Sequence, residues 1–299
     1  MPKHLFTGEE FSDQELFQIM KLAHDLKKDR SLHRNTLCGQ HLALIFEKPS
    51  LRTRFSFTIA MRELGGEVVE SQSQTSKFEE PEDTARVLSG YCKGIMLRTH
   101  DDKNLYRMSE CSSIPIINGL SADHHPCQIL ADLMTMEEHF GNLDGLKLSY
   151  IGDANNILNS FLLLAPRFGV EIHYATPATR GPSLDILNRS KRNLIFAHSK
   201  PENAVLGTHT VYTDVWTSMG FESQVDESVF DGFQVNEQLM KKADKNALFM
   251  HCMPMLRGKE VSTTLPDDKC SAIFKQSENR LHIQKAILIH LLKGIPYEN

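Results

Sequence analysis

His41-Leu-Ala-Leu-Ile-Phe-Glu-Lys-Pro-Ser50-Leu-Arg-Thr-Arg-Phe-Ser-Phe-Thr-Ile-Ala60-Met-Arg-Glu-Leu64 is the stretch on which the fold turns. Its first six residues, His41 to Phe46, have the length and apolar content of a buried strand. Beyond them Phe57, Ala60, Met61 and Leu64 recur at the spacing of one helical face. Between the two lies Glu47-Lys-Pro-Ser-Leu-Arg-Thr-Arg54, a strand-to-helix turn. A helix N-terminus offers unpaired N–H groups and the positive end of its dipole, which suits a bound phosphate. Ser50 and Thr53 add hydroxyl groups. Arg52 and Arg54 add planar forks that grip phosphate oxygens in pairs. The same residues also suit a plain N-cap at Ser50 with solvated arginines. A P-loop is excluded, because Gly-x-x-x-x-Gly-Lys is absent.

Working outward, further strands are expected at Glu67–Val69, Ile95–Leu97, Ile114–Ile117, Lys147–Ile151, Val170–Tyr174, Leu194–Phe196, Val211–Val215 and Ala247–Met250, with helices between most of them. Such alternation predicts an α/β protein with two doubly wound parallel-sheet domains. A helix is expected from about Pro126 to Phe140, and the Gly-rich turn Gly141–Gly145 marks a boundary after it. The division is 1–140, 145–275 and a terminal helix over 278–299, with Leu281, Leu288, Leu291 and Leu292 on one side. By its pattern alone that helix could pack on either half.

With 299 residues there is room for two ordinary domains, and a net charge of −5 supplies no basic field for nucleic acid. Small anions must therefore be drawn in by a local cluster. No stretch approaches the roughly 20 apolar residues of a membrane span. Glu9, Glu10 and Asp13 interrupt any signal-peptide core near the start. The six cysteines (38, 92, 111, 127, 252 and 270) contain no Cys-x-x-Cys pair, which fits a reduced, cytoplasmic compartment better than disulfides or structural zinc.

Four more constellations fall at the carboxyl ends of expected strands, where ligands of open α/β sheets collect. Asp123-His-His-Pro-Cys-Gln128 opens a helix, and His125 there either donates to a carbonyl or caps the helix. Gly152-Asp-Ala-Asn-Asn156 stands where a dinucleotide fold puts its glycines, but Gly-x-Gly-x-x-Gly is missing, so no nicotinamide or flavin is expected. Its paired asparagines offer neutral donors and acceptors, or an Asx-turn. Thr213-Asp-Val-Trp-Thr-Ser-Met-Gly220 presents Asp214 to an amine. Phe249-Met-His-Cys-Met-Pro254 presents Cys252, which by type alone could be a nucleophile, a soft contact to an amine, or a buried apolar group.

Taken as a set, Ser50-Leu-Arg-Thr-Arg54, His125-Pro-Cys-Gln128, Asp214-Val-Trp-Thr-Ser-Met-Gly220 and His251-Cys-Met-Pro254 resemble the ornithine carbamoyltransferase family over almost the whole chain. The first two motifs are shared with aspartate carbamoyltransferases; the last two belong to the ornithine branch. The resemblance implies that carbamoyl phosphate is bound by Ser50, Leu51, Arg52, Thr53, Gln74, Arg98, His125, Gln128, Cys252, Met253 and Arg280. Gln74 would reach in from a neighbouring subunit. It implies that ornithine is bound by Asn156, Asp214, Ser218 and Met219, and that Arg52, His125, Arg280 and Cys252 carry the chemistry. It further implies a homotrimer or a multiple of one, a C-terminal helix returning to the first domain, and no cofactor or metal. Three departures from the usual pattern stand out: Leu51 replaces a threonine, Met253 and Leu256 alter the His-Cys-Leu-Pro-Ala-His-Arg-Gly run, and Lys77-Phe-Glu79 replaces a basic-glycine-glutamate run. Other readings are a transferase for putrescine or an acylated ornithine, or a non-catalytic binder of carbamoyl phosphate.

Overall fold

The computed structural model describes residues 2–72, 79–217 and 226–293. The chain divides into two compact units, Met1–Met134 with Glu278–Asn299, and Thr135–Ser277.

In the first unit β1 (His41–Phe46), β2 (Glu67–Gln72), β3 (Gly94–Arg98) and β4 (Ile116–Leu120) form an all-parallel sheet in the order β2-β1-β3-β4. Parallel strands are covered on both faces and so read as continuous apolar runs; every residue of β3 is buried. The helices are α1 (Asp13–Lys28), α2 (Leu51–Glu63), α3 (Pro81–Ser89) and α4 (Asp102–Cys111). β1 and α2 follow the opening stretch as expected. β4 begins later than the sequence suggests: Pro115 brings no N–H, and the ladder with β3 starts at Ile116.

In the second unit β5 (Lys147–Ile151), β6 (Glu171–Ala175), β7 (Ile195–His198), β8 (Thr210–Thr213) and β9 (Leu248–Met250) form a second parallel sheet, ordered β7-β6-β5-β8-β9. The helix α5 (Pro126–Phe140) starts in the first unit and ends in the second; α6 (Asn156–Leu164), α7 (Leu184–Arg189), α8 (Pro201–Ala204) and α9 (Glu237–Met240) belong to the second. β8 is shorter than the expected Val211–Val215, because Val215 N–H donates to the Asp214 carboxylate (2.8 Å) instead of continuing a ladder. That early stop leaves Asp214 at the strand's carboxyl end.

The last helix, α10 (Ile273–Leu292), begins five residues before the expected start and rejoins the first unit from Glu278 onward. It is not the one-sided helix its leucines suggest. Residues from His282 to Ile289 are all buried, polar Gln284 and Lys285 among them. Each such helix-borne Ile or Leu contributes about 1.5–3 kcal/mol of burial. Its polar groups find partners on the N-terminal elements: Lys27 Nζ donates to Asn279 Oδ1 (2.6 Å), and His290 faces Glu15 at 3.4 Å. Lys285 Nζ donates to Glu63 Oε2 (3.0 Å) and to the Arg30 carbonyl (2.9 Å). A buried ammonium is tolerated only with such partners, and losing it leaves the Arg30 carbonyl without its donor and Glu63 with Arg30 as its remaining cation. Lys285→Ala is expected to lower the unfolding free energy by about 2–4 kcal/mol, and Lys285→Met, which keeps the buried stem, by clearly less; thermal and denaturant unfolding check both.

Candidate active site

Two sets of polar side chains gather at strand ends, one in each unit. The first is built from β1, β3 and the starts of α2 and α5. Ser50 is the N-cap of α2, its Oγ accepting from Thr53 N (3.2 Å), so the capping role weighed for it is real. That leaves the first amides of α2 without helical partners, as at any N-terminus. Thr53 is fully buried and its hydroxyl accepts from Arg280 Nη2 (2.6 Å), which lies about two turns into α10. Arg98 closes β3, where the register shifts and Glu47 N donates to the Arg98 carbonyl (2.9 Å).

At the centre is His125, the residue before α5. It is buried, and its pKa is held well below 6.5, first by loss of water and then by the charges of Arg280, Arg98 and Arg52. The charges of three guanidinium groups thus act on one neutral imidazole. One turn on, Gln128 is buried and donates from Nε2 to Asp132 Oδ1 (2.8 Å); its Oε1 has no hydrogen-bond partner among the described residues. Converging cations with a buried acceptor beside them suit a small anion that also carries N–H groups. Leu51 points outward, 69% exposed, so it offers this set its backbone alone.

Arg54 does not join the cluster. It pairs with Glu70 (2.7 Å) and lies over the Phe46 ring, 5.3 Å from its centre. Lys48, which spacing did not single out as a ligand, is half-buried; burial and the Arg98 charge lower its pKa.

The second set joins the ends of β5, β8 and β9. Asp214 is buried; Cys252 Sγ donates to its Oδ1 (3.1 Å), and Asn155 Nδ2 donates to its Oδ2 (2.7 Å). Asn155 is the N-cap of α6, accepting from Ile157 N and Leu158 N, and its Oδ1 also accepts from Tyr150 Oη (3.1 Å). Tyr150 is fully buried, which raises its pKa well above 10, helped by the negative charges of Asp214 and Asp153, so it stays a donor. Asn155 rather than Asn156 therefore orients the carboxylate; Asn156 is the first residue of α6, partly exposed. The Asx-turn pattern was the available signal, but which of two adjacent asparagines faces Asp214 depends on the turn's geometry.

Cys252 and Met253 lie on a taut turn after β9. Met253 has φ 55° and precedes a cis peptide to Pro254. A non-glycine residue in this region costs about 1–2 kcal/mol. Met253 N donates to His251 Nδ1 (2.9 Å), while His251 Nε2 and Leu256 N both meet Glu260 Oε1 (3.2 and 2.6 Å). Leu256 is half exposed. Asp214, His251 and Cys252 bring three ligand-type atoms within 4.8 Å, a set that spacing did not reveal. With both His251 nitrogens engaged, Asp214 and Cys252 are the donors left there, already sharing a hydrogen bond.

Gln74, Ser218 and Met219, and Phe78 among the departures, lie outside the described residues. A separate cleft of about 810 Å³ in the first unit, lined by Ala43, Ile45, Val69, Val87, Tyr91 and other residues, includes none of the expected site residues.

Fold and side chains together define a two-unit α/β protein of the transferase type, with an anion-holding half and a carboxylate-and-thiol half. Residues 3–138 match the family described as aspartate/ornithine carbamoyltransferase, carbamoyl-P binding domain, and residues 144–291 match its Asp/Orn binding domain. An ornithine carbamoyltransferase of Prochlorococcus marinus is 41% identical over 98% of this chain and 95% of its own. The solved ornithine carbamoyltransferase of Pyrococcus furiosus is 37% identical, with a TM-score of 0.94 over 98% of each chain. That of Thermus thermophilus is 39% identical, with a TM-score of 0.91 over 98% of this chain and 100% of its own. The chain belongs to the aspartate/ornithine carbamoyltransferase family.

The His125 environment has a consequence for pH. Its folded pKa is depressed, so below about 6.5 the unfolded chain binds a proton that the folded one refuses. Stability present above pH 6.5 is then lost as pH falls, by up to about 1.4 kcal/mol per unit. The His125→Gln variant is expected to show a shallower loss between pH 6.5 and about 5 in denaturant titrations; parallel profiles would rule out this contribution.

Proposed function

We propose that this protein is an ornithine carbamoyltransferase: it moves the carbamoyl group of carbamoyl phosphate to the side-chain amine of L-ornithine, giving citrulline and phosphate. The observation that carries this reading is the cationic set of Arg52, Arg98 and Arg280, whose charges act together on neutral His125, with Arg280 held on Thr53. Such a concentration of positive charge suits a doubly charged phosphate. Domain limits of 1–140 for carbamoyl phosphate and 145–275 for ornithine, with 278–299 completing the first, follow from assigning each substrate to one set.

Ser50, Arg52, Thr53 and Arg98, with the α2 amides at Leu51, hold the phosphate, and Gln74 of a neighbouring subunit joins them. His125 and Arg280 donate to the carbonyl oxygen. A neutral imidazole serves here, because it donates without adding a fourth positive charge. Gln128 Oε1, buried and without a donor among the described residues, accepts from the carbamoyl NH2.

Ornithine's side-chain amine has a free pKa of about 10, so losing its proton at pH 7 costs about 4 kcal/mol. Asp214 and Cys252 orient that amine, with Met253 alongside the carbamoyl group; Asn156, Ser218 and Met219 take the amino-acid end. The neutral amine attacks the carbonyl carbon, a tetrahedral oxyanion forms, and phosphate departs with the C–O bond's electron pair, taking up the proton that the attacking nitrogen sheds. Aspartate as acceptor would bring a second carboxylate towards Asp214, which disfavours it.

A trimer, or a multiple of one, is supported by an apolar stripe on α2: Leu51, Phe55 and Ile59, spaced one turn apart, are 69%, 58% and 37% exposed. A cytoplasmic location is supported by the six cysteines, which form no disulfide. Among the described residues no helix is long and apolar enough to cross a membrane.

Citrulline is expected from carbamoyl phosphate with ornithine, and none from putrescine, N-acetylornithine or aspartate supplied separately. Product from another amine alone would overturn the acceptor assignment; no product from any would favour a non-catalytic binder. Arg52→Gly is expected to cut turnover at least about a hundredfold, as loss of one oxyanion-type donor does; near-normal turnover would refute its role.

A further inference from the structure

We propose that Asp102 is a positioning residue for this reaction: its carboxylate locks the Ser121–His125 turn that delivers His125. The inference rests on the reading that His125 contacts the carbamoyl group.

The chain between β4 and α5 is Ser121-Ala-Asp-His-His125. Ser121 Oγ donates to Asp102 Oδ1 (2.5 Å), and Asp123 N donates to Asp102 Oδ2 (3.0 Å). Both carboxylate oxygens are thus spent on one turn, as charge-assisted bonds. Ser121 is itself the hub of that turn. Its Oγ accepts from His124 N (3.2 Å) and Asn118 Nδ2 (2.9 Å), and its N–H donates to the His124 carbonyl (2.9 Å). The turn therefore keeps its own shape without Asp102. What Asp102 supplies is its placement.

Asp102 is well suited to do so because its own backbone is fixed. It is the first residue of α4, preceded by the N-cap Asp101, whose side chain accepts from Lys103 N (2.9 Å). The segment leading to it is anchored by Glu47, which accepts from Thr99 Oγ1 (2.7 Å), His100 N (3.0 Å) and Asn104 Nδ2 (3.3 Å). That segment also begins at Arg98. One carboxylate therefore ties the loop carrying Arg98 to the loop carrying His125. A reacting group displaced by about 1 Å can lose about a hundredfold in rate.

Position and charge can be separated. In Asp102→Asn the amide oxygen still accepts from Asp123 N. Its NH2 donates to Ser121 Oγ, whose hydrogen turns to the His124 carbonyl, 3.2 Å away. Both ties survive without the charge. Asp102→Ala removes both.

The experiment measures kcat and KM for both substrates, with thermal midpoints, in the full-length wild type, D102A, D102N, H125A and the D102A/H125A double variant. Expected are a kcat about 10–100-fold lower in D102A, an ornithine KM within about twofold of wild type, and most of the turnover restored in D102N. The double variant should be no slower than H125A within about threefold, because a residue acting through His125 adds nothing once His125 is gone. Should D102A fail to fold, Asp102→Ser, which keeps at most one of the two ties and leaves the turn's own bonds intact, is paired with H125A in its place. The proposal falls if D102A turns over normally, if the two losses multiply, or if D102N is as slow as D102A. No citrulline from the wild type would instead overturn the function itself, and this inference with it.

Discussion

Three guanidinium charges act together on one buried imidazole, a concentration of positive charge that suits an anion, and several elements of the first unit contribute to it. Arg52 comes from the start of α2, Arg98 from the end of β3, and Arg280 from the helix that closes the chain. The last is the demanding one. Its hydroxyl partner, Thr53, lies 227 residues earlier, so the chain must build an entire second unit and then return. The burial of α10 from His282 to Ile289, and the pairing of Lys285 with Glu63, hold that return in place.

The second unit uses hydrogen bonds where the first uses charge. Tyr150, Asn155, Asp214 and Cys252 form a chain in which each side chain fixes the next. Asn155 serves twice, as cap of α6 and as clamp on Asp214, so the helix start and the carboxylate orientation are one structural event. The turn carrying Cys252 stays in a costly backbone conformation because His251 and Glu260, both buried, tie it at two points. The two sets differ in chemistry: one is cationic, the other acidic and soft, which is the contrast the proposed transfer from a phosphate donor to an amine acceptor needs.

The departures at Leu51 and Leu256 place exposed side chains outside the two polar sets. Leu51 faces outward at the start of α2, where its amide is one that any residue has, and Leu256 is half exposed while its N–H still meets Glu260. Arg54 shows the reverse: a residue inside the strongest motif turns out to be a structural partner of Glu70.

Local signals in the sequence determined a good deal by themselves. The apolar runs at His41–Phe46 and Lys147–Ile151 and the helix over Pro126–Phe140 are set by short-range burial patterns and appear as read. The positions of Ser50, Arg52, His125, Asp214 and Cys252 at strand ends follow from the same patterns, because a parallel sheet delivers every strand's carboxyl end to one edge. Tertiary structure alone decided the rest. That Arg280 meets Thr53, that Asn155 rather than Asn156 holds Asp214, that Asp102 grips the Ser121 turn, and that α10 buries a lysine are contacts between segments far apart or turned by a single residue's geometry. Periodicity reports which face of an element is apolar; it carries no information on which distant side chain completes a hydrogen bond, since that depends on angstrom-scale placement in the folded chain.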